Sequence, residues 1–240
     1  MRDRFAAAKK AGFNAIEIQF PYEITVAELV QLQQQNGLKI ILINVDADDL
    51  LQGGEGLAAV STKQSQFDKA LENCMEYAQQ LNVNCVNVLS GRCFDESLKN
   101  NYLAIFKQNL EKAADALQKI NVKCTFEAIN TVDMPHFLIN SPIQMMGIIN
   151  ELKHPNLFMQ YDIYHMTKMG RDVCADIQQY HHHIGHIQFA DYPGRHEPNT
   201  GDINFESVFN AISKCGYNGW VGAEYNPSKN TNATLTWFER

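Results

Sequence analysis

The sequence has no uninterrupted apolar stretch long enough to cross a bilayer, and its first residues, Met1-Arg2-Asp3-Arg4-Phe5, lack the apolar core of a secretion signal. A cytoplasmic protein with no membrane partner is the expectation. Positive charge is scarce: 20 Lys and Arg stand against 27 Asp and Glu, the formal net charge is −7, and no dense Lys/Arg stripe occurs. That balance argues against a nucleic-acid partner and for small molecules. The six cysteines, Cys74, Cys85, Cys93, Cys124, Cys174 and Cys215, are scattered without a C-x-x-C pair, and several lie inside apolar runs as small hydrophobes. Neither a thiolate zinc site nor a disulfide framework is expected.

What is present is a long alternation of apolar runs and amphipathic segments. Expected strands are Asn14–Phe20, Lys39–Val45, Asn84–Leu89, Val122–Glu127, Leu157–Asp162, Ile184–Ala190 and Gly219–Glu224. Expected helices are Arg2–Ala11, Thr25–Asn36, Gln64–Leu81, Glu96–Ile120, Ser141–Leu152, Val173–His181, Phe205–Cys215 and a last one near Thr231–Arg240. Thr25 with Glu28 three residues on forms a capping pair, and Gly37 closes that helix. The stretch Asp46–Thr62 has little periodicity and reads as a long connection of the kind that covers a site.

Strands alternating with helices imply βαβ units and a parallel sheet, and no composition break divides residues 1–240 into more than one domain. No glycine-rich phosphate loop follows any strand, and the strands carry their polar residues at their C-terminal ends. Both features favour a (β/α)₈ barrel of the TIM type over a doubly wound sheet. The chain opens on a helix, however, so seven strands are expected, with the first stave of the ring lacking. The resulting sheet edge calls for a cover, either a loop or a second copy of the chain in a homodimer.

Four of the runs end on a polar side chain: Glu127, Asp162, Gln188 and Glu224. A carboxylate in such a place is costly to bury unless it is paired or holds a metal, and four oxygen donors at equivalent places suggest convergence on one point. Glu127 and Glu224 fall on opposite sides of a ring, as a proton shuttle between neighbouring carbons requires. With Asp162 and Gln188 they form an oxygen-only set suited to Mg²⁺ or Mn²⁺, and a metal-free hydrogen-bond network among the same groups is the alternative.

Other candidates surround these four. His165, three residues after Asp162, and His186, on the same strand face as Gln188, are placed to donate to substrate oxygens, although His186 fits a satisfied core histidine equally well. The run His181-His182-His183 reads as a solvated helix end, because adjacent residues there do not face one point. Arg195, on the loop after Gln188, is the candidate clamp for a substrate carboxylate, with a loop ion pair to Glu197 or Asp202 as the alternative. Asn44 is counted with the substrate-binding candidates at the mouth. It and Glu17 face that mouth without context to rank either above a structural residue.

These residues resemble the hydroxypyruvate isomerase family of the xylose isomerase-like barrels. The resemblance runs through Gly12-Phe13 to Phe20-Pro21-Tyr22, Glu127-Ala128-Ile129-Asn130, Gln160-Tyr161-Asp162-Ile163-Tyr164-His165-Met166, His186-Ile187-Gln188-Phe189-Ala190-Asp191 with Arg195 and Glu197-Pro198, Gly201-Asp202-Ile203-Asn204, and Gly216 to Tyr225. It implies interconversion of hydroxypyruvate and 2-hydroxy-3-oxopropanoate, Glu127 and Glu224 as the acid/base pair, and a divalent metal on Glu127, Asp162, Gln188 and Glu224. Three features depart from the pattern: the first strand usual in the family is lacking, Ile43 stands where a His is expected, and Glu55 where the glycine-rich loop is expected to carry an Arg. The two residue changes bear on substrate identity more than on reaction type; Ala128, where Pro is usual, points the same way, and a 2-oxo-tetronate isomerase is the runner-up. The rival of another class is a non-catalytic, ligand-binding barrel. A DNA-repair endonuclease would need a richer His cluster and a basic surface.

Overall fold

The computed structural model describes residues 2–238. Seven parallel strands run in sequence order through one sheet: β1 (Ala15–Glu17), β2 (Lys39–Asn44), β3 (Cys85–Asn87), β4 (Lys123–Glu127), β5 (Leu157–Asp162), β6 (Ile184–Phe189) and β7 (Val221–Ala223). Helices α1 (Arg2–Ala11), α2 (Val26–Asn36), α3 (Gln64–Leu81), α4 (Lys99–Gln118), α5 (Pro142–Leu152), α6 (Ile163–Lys168), α7 (Val173–Tyr180) and α8 (Phe205–Lys214) pack outside it. The result is a nearly closed TIM-type barrel of seven staves, as the sequence pattern predicts. No helix among the described residues is long and apolar enough to cross a membrane.

Side-chain alternation along the strands sorts the two faces. Phe126, Tyr161, Ile187 and Phe189 point outward into the layer shared with Leu29, Phe67, Phe106, Leu110, Ile177 and Val208, and all are buried. Each such side chain taken from water contributes about 1.5–3 kcal/mol. The residues between them, Thr125 and Glu127, Gln160 and Asp162, His186 and Gln188, therefore share the inner face. The fold thus collects the strand-end polar residues by period alone.

Local signals account for most boundaries. Thr25 Oγ1 accepts from the Glu28 amide and Gly37 ends α2, as expected. The expected strands Asn14–Phe20, Asn84–Leu89 and Gly219–Glu224 each shorten to three residues, so that Glu224 falls just past its strand, and three helical expectations differ as well. The long expected helix from Glu96 starts as a 3-10 turn, Glu96–Leu98, before α4. The last expected helix is a 3-10 segment over Thr231–Trp237, and Glu239 and Arg240 lie outside the described residues. Helix α6 was not anticipated, because only six residues form it, and Asp162 starts it by accepting from the His165 amide.

The connection after β2 lies folded against the ring. Arg92 Nη1 donates to the carbonyls of Leu50 and Gly54, and the Arg92 amide donates to Glu55. Gly91 permits this closeness: its φ is 77°, and a Cβ there would sit 2.1 Å from the Glu55 carbonyl oxygen.

β1 and β7 are the two ends of the sheet, and side chains bridge the gap between them. Gln19, just past β1, bonds to Glu224, just past β7. A groove of about 920 Å³ follows the gap, lined by aromatic residues including Phe13, Phe209, Trp220 and Trp237. The C-terminal segment covers part of its flank, with the Phe238 ring stacked on Phe13 at 4.5 Å and Trp237 edge-on to Phe189 at 5.3 Å.

Candidate active site

Glu127 and Asp162, the last residues of β4 and β5, are 5% and 1% exposed, and Glu224 reaches in from the opposite side after β7. Burial raises the Glu127 pKa well above the carboxylate range, and the charges of Asp162 and Glu224 push it the same way. Burial also lifts Glu224, up to about 8, although Arg195 opposes the shift. Arg195 Nη2 stands 3.0 Å from Glu224 Oε2 and 3.8 Å from Asp162 Oδ2, and the guanidinium carbon lies 5.2 Å from the centre of the Tyr164 ring. Its ion pairs are thus with the site rather than with Glu197, which instead accepts from the amide and hydroxyl of Ser228.

The loop that presents Arg195 is held by one buried carboxylate. Asp191 accepts from the backbone amides of Tyr192, Thr200, Gly201 and Ile203 at 2.9–3.2 Å. Arg195 itself has φ 55°, and its carbonyl accepts from the Asn226 amide, which ties the loop to the chain after β7.

His165, one turn into α6, is 2% exposed, with Nε2 3.6 Å from Asp162 Oδ2 and 4.0 Å from Glu127 Oε1. Asn130 fixes its tautomer. The Asn130 carbonyl oxygen accepts from the amides of Val132 and Asp133, so its NH₂ group faces His165 Nδ1 at 2.6 Å and donates to it. The ring proton therefore sits on Nε2, aimed at the carboxylates. Burial lowers the His165 pKa and keeps the ring neutral near pH 7.

Below the mouth a second layer of polar side chains forms an unbroken chain of bonds. Asn87 Nδ2 donates to Glu127 Oε2 at 3.3 Å, Gln160 Nε2 donates to the same oxygen at 3.1 Å and to Gln188 Oε1 at 2.6 Å, and Gln188 Nε2 donates to Glu17 Oε2 at 2.7 Å. His186 Nε2 closes the chain on Glu17 Oε1 at 2.6 Å. Burial opposes a charge on His186, but the Glu17 carboxylate outweighs it and lifts the pKa to about 10.

The fold thus brings Glu127, Asp162, His165, Arg195 and Glu224 around one mouth. Gln188 and His186 sit deeper, with Gln188 joined to Glu127 through Gln160. Asn44 lies in register with Asn87 on the neighbouring strand; the side-chain oxygen of each is buried without a hydrogen-bond partner. The His181–His183 run forms a 3-10 turn after α7. Sequence reasoning passed over Gln160, Asn87, Asn130 and Gln19 and set Glu17 aside. For Gln160 a signal existed: it precedes Asp162 by two residues and so shares its face of β5.

Among the described residues, Glu127, Asp162 and His165 form a buried group whose ligand atoms lie within 4.8 Å of one another. Compared with known proteins, residues 5–240 match the model of the xylose isomerase-like TIM barrel. The chain belongs to that family. It is 35% identical to the hydroxypyruvate isomerase of Escherichia coli (strain K12), over 98% of this chain and 92% of that one. It is 36% identical to a 2-oxo-tetronate isomerase of Cupriavidus necator, over 99% and 91%. Like these family members, the chain is an isomerase. A crystal structure of AP endonuclease, family 2, from Brucella melitensis superposes with a TM-score of 0.94 at 31% identity, covering 99% of this chain and 92% of that one. D-Psicose 3-epimerase, at 15% identity and a TM-score of 0.80 over 99% and 84%, shares the barrel fold of the family.

Proposed function

We propose that the protein interconverts hydroxypyruvate and 2-hydroxy-3-oxopropanoate by proton transfer between Glu127 and Glu224. The observation that carries this reading is a pair of glutamates with raised pKa on opposite walls of one mouth, with the cation of Arg195 between Glu224 and Asp162. Carboxyls tuned upward accept and return protons at neutral pH, which ordinary carboxylates do poorly.

In the forward direction one glutamate takes a proton from the hydroxyl-bearing C3, and the electron pair moves into the C2–C3 bond to give a cis-enediolate. The other glutamate delivers a proton to C2. The hydroxyl proton passes from the C3 oxygen to the C2 oxygen, so the aldehyde forms with no net redox change. Arg195 grips the substrate carboxylate, and the Nε2–H of His165 donates to a substrate oxygen.

The site fits a hard divalent cation. Asp162 Oδ2 is buried without a hydrogen-bond partner, and Asp162 shares with Glu127 and His165 a buried cluster whose ligand atoms lie within 4.8 Å of one another. His165 is a poor ligand because its Nε2 carries the proton. Glu127, Asp162, Gln188 and Glu224 would therefore hold Mg²⁺ or Mn²⁺. Bound there, the ion would supply Lewis-acid polarisation of the substrate carbonyl.

The test is an aldehyde-forming assay on hydroxypyruvate. The Glu127→Gln and Glu224→Gln variants should each lose on the order of 10²–10⁴-fold in kcat. Near-wild-type turnover in either variant overturns the paired-glutamate mechanism. Running 2-oxo-tetronate beside hydroxypyruvate decides the substrate, since relatives of both activities are equally similar.

A further inference from the structure

We propose that Glu17 is a positioning residue that fixes which end of the Gln188 amide faces the site, with the imidazole of His186 holding Glu17 in place. This rests on the reading of Gln188 as an oxygen ligand of the divalent cation. A glutamine amide has two ends of nearly equal shape, and only the oxygen can bind a hard cation. Something must select the orientation.

The Glu17 carboxylate accepts and does not donate. Its Oε2 lies 2.7 Å from Gln188 Nε2, and on the other side of the amide Gln160 Nε2 lies 2.6 Å from Gln188 Oε1. Rotating the amide by half a turn would set oxygen against oxygen at Glu17 and NH₂ against NH₂ at Gln160, losing two buried bonds at once. The orientation propagates further, because the same Gln160 NH₂ donates to Glu127. Glu17 is itself anchored through Oε1 by His186 Nε2 at 2.6 Å.

A slot for this carboxylate is built into the opposite edge of the sheet. Gly222 of β7 pairs in register with Gln188, and a Cβ on Gly222 would fall 1.7 Å from Glu17 Oε1. Any side chain at 222 would expel the carboxylate from its place.

Calorimetric titration with Mn²⁺ tests the proposal on the whole protein. Outer-shell partners of ligands typically contribute 10–100-fold to metal affinity, so Glu17→Ala should weaken Mn²⁺ binding by about that factor. Gly222→Ala, which keeps Glu17 but displaces it, should do the same and covers the case in which Glu17→Ala fails to fold. In a Gln188→Glu background both ends of residue 188 are oxygens and one of them faces Glu17, so adding Glu17→Ala relieves that contact and should cost no Mn²⁺ affinity relative to the Gln188→Glu single variant. A general structural role for Glu17 predicts equal losses in both backgrounds and would overturn the assignment. So would wild-type Mn²⁺ affinity in Glu17→Ala and Gly222→Ala, provided Gln188→Ala still weakens binding. If Gln188→Ala also leaves binding unchanged, the ligand reading of Gln188 falls and this inference falls with it.

Discussion

Arg195 and Glu224 form an ion pair at 3.0 Å across the mouth of the barrel, between residues 29 positions apart in sequence. The same guanidinium lies over the Tyr164 ring and within 3.8 Å of Asp162. A cation fixed on three sides in this way has little freedom to relax around a smaller or differently shaped replacement.

Substrate binding should therefore depend on the guanidinium shape as well as on its charge. Arg195→Met is expected to raise KM for hydroxypyruvate by about 10–100-fold, and Arg195→Lys is expected to recover little of it, because an ammonium grips a carboxylate through single rather than paired bonds. Steady-state kinetics of the two variants checks this. Full recovery in Arg195→Lys would reduce the role of Arg195 to that of a point charge.

Three buried or half-buried carboxyls around one point leave the site short of positive charge, so a bound divalent cation should stabilise the fold. At a Mn²⁺ concentration 100 times the dissociation constant the gain is about 2.7 kcal/mol, which for a chain of this size raises Tm by about 5–10 °C. After chelator treatment, thermal melts with and without added Mn²⁺ measure the shift. Asp162→Asn, which alters the carboxylate with the unpartnered oxygen, should abolish most of it.

Acid stability should report on the platform beneath Arg195. Asp133 accepts from Lys168 Nζ at 2.5 Å, Tyr164 Oη at 2.8 Å and Asn130 Nδ2 at 3.0 Å. Partial burial works against its charge, but these bonds outweigh it and hold the pKa down to about 2, against 3.8 for a free Asp. A depressed carboxylate adds stability that is present above the unfolded pKa and is lost as pH falls through the folded one. Because the group is partly exposed, the contribution is about 1 kcal/mol after solvent screening. Asp133→Asn should therefore be less stable than the parent at about pH 6, with the two urea midpoints converging as pH falls from about 4 toward 2. A constant gap across that range would remove Asp133 from the acid response.

The alternation of strands and helices, the seven staves, and the placement of Glu127, Asp162, Gln188 and Glu224 at or beside strand ends are all legible in the order of the amino acids. The reason is local: a strand has a period of two and a helix one of 3.6, so each run shows its own face and its own terminus. Which of those residues touch depends on how the folded sheet curves. Gln188 meets Glu17 across 171 residues and Glu224 meets Gln19 across 205, contacts created by the curvature that brings β7 round to β1. His165 needed α6, a helix too short to show a period, to turn its Nε2 toward the carboxylates. Ring closure likewise turned Glu17, unremarkable within its own three-residue strand, into the far end of the polar chain that reaches Glu127.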